Sequence, residues 1–122
     1  MRGRMRRAAA VAAAVVTLVV TQVIPAQAAV VVKVGAGTNC RHFKPAKVSV
    51  HKGAKVVWKD VCLSHTVTAY SHNWSKDVTL SSGQTTSRIF RTKGVFKYRC
   101  RFHSTLSAGV CSGMCGKIVV GA

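Results

Sequence analysis

The chain has 122 residues, with 19 lysines and arginines against two acidic residues, for a net charge of +17. The acids are Asp60 and Asp77, with no glutamate; this scarcity argues against carboxylate acid–base catalysis, and no nucleophile–base pair replaces it. Such a surface attracts polyanions, acidic proteins or anionic lipid head groups in a salt-dependent way, but the charges are scattered and no aromatic-rich motif accompanies them, so nucleic acid is not an expected partner.

Residues 1–28 read as a secretory signal peptide. Arg2, Arg4, Arg6 and Arg7 form a basic start, residues 8–20 are apolar, and Ala26-Gln27-Ala28 is a small-x-small cleavage site. The apolar run is short for a membrane span, lacks a stop-transfer flank and is broken by Pro25. Only alanines follow Arg6-Arg7, which favours ordinary secretion over twin-arginine export. The protein is therefore expected to be secreted or extracytoplasmic. Cleavage leaves residues 29–122, 94 of the 122, enough for one small domain. Losing four arginines leaves fifteen basic residues against two aspartates, or +13.

From residue 29 onward the chain alternates with a period of two and carries no helical pattern. Residues 30–34 open as a β-rich run. Ala46, Val48 and Val50 alternate with Lys47, Ser49 and His51 before a turn at Lys52-Gly53; Ala54, Val56 and Trp58 then alternate with Lys55, Val57 and Lys59. His65, Val67 and Ala69 share one strand face, with Thr66, Thr68 and Tyr70 on the other. A loop with Asn73 and Trp74 precedes a short strand at 78–80 and a turn at Ser81-Ser82-Gly83. Residues 85–91 form another strand, closed by Lys93-Gly94. Phe96, Tyr98 and Cys100 then face inward while Lys97 and Arg99 face outward, and residues 117–120 form the last strand. Residues 109–116 have no clear pattern. Seven to eight short strands separated by turns predict an all-β, antiparallel Greek-key β-sandwich.

All five cysteines, Cys40, Cys62, Cys100, Cys111 and Cys115, follow the signal segment. An odd number in an exported protein implies one thiol with a separate task, and the three-residue spacing to His103 singles out Cys100. The other four allow three disulfide pairings. His65, Cys100, His103 and Met114 supply two imidazoles, a thiolate and a thioether. That is the donor mixture of a mononuclear copper site: soft sulfur favours Cu(I), imidazole suits both oxidation states, and a weak axial sulfur lets neither dictate the geometry. Met114 is the one methionine outside the signal segment; a three-coordinate copper without it is the alternative. His42, His51 and His72 read as surface residues.

Phe43-Lys-Pro45, Val48-Ser-Val50-His-Lys-Gly53, Val56-Val-Trp58, His65-Thr-Val-Thr-Ala69, Gly94-Val-Phe-Lys-Tyr98-Arg-Cys100 and Met114-Cys-Gly116-Lys-Ile118 together resemble the cupredoxins, small blue copper proteins of the plastocyanin, pseudoazurin and amicyanin type. The resemblance covers residues 43–120. It implies one copper per chain on His65, Cys100, His103 and Met114, with His103 as the solvent-facing ligand and electron port. It also places Gln84, the other candidate axial side chain, on a turn away from the metal.

Three departures stand out. Ten residues separate His103 from Met114, where the family usually has a few. The asparagine and proline the family commonly places before the first histidine are missing from residues 59–64, where Cys62 offers a disulfide anchor instead. Cys111-Ser-Gly-Met-Cys115-Gly resembles a binuclear copper motif, but the histidine required four residues further on is Val119, so a disulfide explains the cysteines better. The expected function is a secreted one-electron carrier and not an enzyme, monomeric, with an acidic redox protein as partner and an anionic cell-surface polymer or lipid as a further candidate. Phe43 and Phe102 are expected at the rim of His103. The alternative is an exported copper carrier or scavenger.

Overall fold

The computed structural model describes residues 9–21 and 28–121. The basic start of the expected signal peptide and all but Ala28 of its cleavage motif lie outside the described residues. Residues 9–21 carry no regular secondary structure, and among the described residues no helix is long and apolar enough to cross a membrane.

The described residues form nine strands: β1 (Val30–Ala36), β2 (His42–Lys44), β3 (Lys47–His51), β4 (Ala54–Asp60), β5 (His65–Ala69), β6 (Asp77–Leu80), β7 (Thr85–Phe90), β8 (Gly94–Ser107) and β9 (Val110–Gly121). A single 3-10 turn, Thr38–Cys40, separates β1 from β2. The strands build one sheet in the order β2-β1-β4-β7 and a second in the order β3-β9-β8-β5-β6. This is the expected sandwich, with β2 as a short additional strand. Most neighbours run antiparallel; β1 with β4 and β3 with β9 run parallel. Those partners are distant in sequence and meet only because the chain crosses between sheets, so local alternation carries no trace of them.

The two inner faces bury what the alternation places inward. β4 buries Ala54, Val56, Trp58 and Asp60, while Lys55 and Lys59 point to solvent. β8 buries Phe96, Tyr98 and Cys100 on the facing sheet. An aromatic cluster joins the sheets: Trp58 meets Tyr98 edge-on at 5.4 Å, and Phe90 lies 4.9 Å from Phe96. Trp74 folds in from its loop and donates its indole N–H to the Lys97 carbonyl, satisfying a polar tip that burial would otherwise leave unpaired. Phe43 is 3% exposed and packs edge-on against Tyr98 at 4.8 Å. It belongs to the core and not to the rim of His103, because β2 turns it inward against β8.

The segment without a clear pattern, 109–116, is the second half of a long hairpin. β8 continues past Cys100 to Ser107, and β9 begins at Val110, pairing Ser104 with Gly113 and Ser107 with Val110. Among the described cysteines, Cys40 is bonded to Cys62 and Cys111 to Cys115, leaving Cys100 as the free thiol. With Cys111 and Cys115 joined to each other, the binuclear arrangement has no thiolates to use.

Candidate metal centre

The end of the sandwich where β5 begins and β8 leaves the core gathers three donors. His65, Cys100 and His103 offer ligand atoms all within 4.8 Å of one another. His65 Nδ1 lies 3.8 Å and His103 Nδ1 3.6 Å from Cys100 Sγ, with the two rings 5.0 Å apart. His65 and Cys100 are wholly buried; His103 is half-buried.

Each donor is held by its neighbours. His65 Nε2 is 2.7 Å from the Cys62 carbonyl. A carbonyl can only accept, so Nε2 carries the proton and Nδ1 keeps its lone pair facing Cys100. Gly35, at φ 83°, makes room for this bond: a Cβ there would stand 2.5 Å from the Cys62 oxygen and 2.6 Å from His65 Nε2. The Cys40–Cys62 disulfide ties the acceptor residue to the 3-10 turn. Cys100 Sγ receives the Thr66 amide at 3.4 Å, which helps to hold the sulfur in place. The Thr66 hydroxyl accepts from the Arg101 amide, and the Ser104 hydroxyl donates to the Cys100 carbonyl. These bonds pin both sides of the loop that presents Cys100 and His103.

Met114 occupies a particular place in the β8–β9 ladder. Arg99 pairs with Cys115 and Ser104 with Gly113, and the register breaks between these pairs. Met114 is therefore the single β9 residue set against residues 100–103. Its side chain is 1% exposed and joins the core cluster. Gly113, at φ 97°, lets the strands close here, since a Cβ would stand 2.5 Å from the His103 carbonyl oxygen. Gln84 sits on the Ser81–Gln84 turn, where its side-chain oxygen accepts the Ser81 amide. His42, His51 and His72 are exposed.

Partial burial lowers the pKa of His103, with the nearby His65 and Arg41 adding to the effect. A neutral imidazole is the form that binds metal. Asp60, buried at the end of β4, accepts the Cys62 amide through Oδ1 while Oδ2 has no partner. Burial raises its pKa, opposed by the Cys62 amide and by His65.

Sequence reasoning anticipated Cys62 as a disulfide anchor, which the bond to Cys40 bears out, but missed its carbonyl, Thr66 and Gly35. Alternation puts Thr66 on the outer face of β5, yet it is fully buried, because the 100–103 loop folds over it and bonds to its hydroxyl. Cys62 acts on His65 through a backbone oxygen, which no side-chain pattern reveals. Gly35 has one visible signal, a glycine closing an otherwise valine-rich strand.

A buried thiol and two imidazoles aimed at it by their Nδ1 atoms suit a thiophilic metal that also accepts nitrogen, and copper is the first-row ion that fits this set in both its common oxidation states. The chain matches the family model for copper binding proteins of the plastocyanin/azurin family over residues 30–121. No curated protein matches it. Among solved structures it is similar to a reduced amicyanin mutant, at 24% identity and a TM-score of 0.62 over 80% of this chain and 86% of that one. It is also similar to a purple cupredoxin from Nitrosopumilus maritimus, at 19% identity and a TM-score of 0.58 over 75% and 99% of the two chains. A copper-containing nitrite reductase from Thermus scotoductus aligns at 18% identity with a TM-score of 0.61, over 88% of this chain but only 25% of the reductase. At these identities the likenesses report the cupredoxin fold, and the family match, which spans most of the chain, reports descent: the chain belongs to the plastocyanin/azurin family of copper-binding proteins, with copper as its cofactor.

Proposed function

We propose that this protein is an exported one-electron carrier whose copper is held by His65, Cys100 and His103, with Met114 as a weak axial donor. The observation that carries the reading is the convergence of two Nδ1 atoms on the one free, buried thiol among the described cysteines. When bound, copper supplies a single-electron couple between Cu(I) and Cu(II).

The chain's own part is to keep the donors still and water out. His65 is fixed in tautomer and orientation by Cys62, and the sulfur of Cys100 by the Thr66 amide. A donor set held this way changes little between oxidation states, which keeps reorganisation small. Burial of His65, Cys100 and Met114 excludes solvent, while half-buried His103 connects the centre to the surface. Around it stand Arg41 and the exposed Phe102, whose ring centroid is 6.5 Å from that of His103. An apolar contact flanked by Arg41 and Arg101 suits an acidic redox protein. Export is supported by the residues of the expected signal peptide and by two disulfides, which persist in oxidising compartments. No substrate chemistry is assigned to the chain.

Voltammetry in the presence of a Cu(I) chelator tests this role. Repeated reversible cycling with the copper retained is the expected result. Loss of copper to the chelator on the first reduction would make the chain a copper carrier that moves metal instead of electrons.

A further inference from the structure

The outer face of the five-stranded sheet carries a feature unrelated to the metal centre. Lys47 on β3 pairs with Lys117 on β9, and Lys117 pairs with Lys97 on β8. The three lysines thus occupy one row across three adjacent strands, all exposed and on the same face. Like charges directly opposite each other in a sheet are destabilising, and here the conflict occurs twice in succession. No side-chain carboxylate among the described residues relieves it. Asp60 is buried at the other sheet's end, and Asp77 is engaged with Thr68 and Arg101.

The row does not lie on a flat surface. The tip of the β8–β9 hairpin and the Cys111–Cys115 disulfide stand beside it and border an open cleft of about 400 Å³, which Tyr70 and Val110 also line. This volume falls within the range of small-molecule sites, and the mixture of an apolar wall with a few polar groups is what such sites present. Burial raises the pKa of Tyr70, leaving its hydroxyl protonated and able to donate.

We infer that this cleft is a binding site for a small multivalent anion: a compact molecule bearing two or more phosphate or carboxylate groups, whose charges meet Lys47, Lys97 and Lys117 and whose body lies against Val110 and the disulfide. Ammonium groups act as point charges toward such ligands, and a bound anion turns two repulsive lysine pairs into two bridged ones. The size of the cleft favours a discrete small ligand over an extended protein surface. The site is independent of copper loading and of the electron-carrier reading.

The test is an amide NMR titration of the full chain with inorganic pyrophosphate at about 0.15 M salt, where surface charges beyond roughly 8 Å are screened. The variants are Lys117→Gln, at the centre of the row, and Lys55→Gln, an exposed lysine of β4 in the other sheet. Saturable shifts confined to Lys47, Tyr70, Lys97, Val110 and Lys117 are expected, with affinity at least tenfold weaker in Lys117→Gln and unchanged in Lys55→Gln. Shifts spread over the whole basic surface, or equal weakening in both variants, would overturn the site in favour of diffuse attraction. Binding of a glutamate octapeptide at these residues without binding of pyrophosphate would also overturn it, making the face a protein-docking surface.

Discussion

In the proposed centre, Met114 is the residue that sets the axial contact. It is the lone β9 side chain facing the four-residue bulge of β8, and it is buried. Leucine has nearly its volume and no donor atom, so Met114→Leu should fold normally. Removing a weak sulfur donor disfavours Cu(II) more than Cu(I), and the reduction potential of Met114→Leu is expected to rise, as voltammetry would read. An unchanged potential would mean that the thioether does not contact the metal. The four candidate ligands were legible because each is a distinct residue type at a telling place: a strand start, a Cys–His spacing of three, a single methionine. Thr66 was not, because it acts through its amide and hydroxyl on partners that meet it only once β5 and β8 pack together, and the Cys62 carbonyl was not, because no side-chain pattern reveals a backbone acceptor.

At the level of elements, β3, β4 and the first half of β8 could be read from alternation because each has one wet face and one dry face. The extension of β8 and β9 into a hairpin escaped because residues 104–113 are rich in serine and glycine and have no buried face to alternate with. Its disulfide encloses Met114 within a sequence separation of 4, while Cys40–Cys62 spans 22. On loop length alone, the long bridge constrains the unfolded chain by about 3 kcal/mol and the short one by about 2 kcal/mol. Thermal unfolding of Cys40→Ser/Cys62→Ser and Cys111→Ser/Cys115→Ser should therefore rank the first pair as the less stable. The reverse order would show that the hairpin clamp matters more to the fold than the anchor behind His65.

The whole molecule is governed by its charge. At +17 with two carboxylates, self-repulsion opposes the compact state. The melting temperature is expected to rise between about 10 mM and about 0.2 M salt as that repulsion is screened. Carboxylates contribute little to the acid limb because there are only two and their shifts oppose. Asp60 is raised by burial; Asp77 is lowered by the Thr68 hydroxyl, an effect partly offset by desolvation and reinforced by Arg101. A depressed folded pKa stabilises above the unfolded carboxylate value of about 3.9 and is lost as pH falls through the folded one. Asp77→Asn should accordingly melt slightly below wild type at pH 6, with the gap closing below pH 4. The most direct test of the centre itself is the visible absorption of the protein with one equivalent of Cu(II), beside Cys100→Ser. An intense thiolate-to-copper band that bleaches on reduction, returns on oxidation and is lost in Cys100→Ser is the expected result. A wild-type protein without that band, or one that keeps it in Cys100→Ser, would contradict the assignment of copper to the Cys100 sulfur.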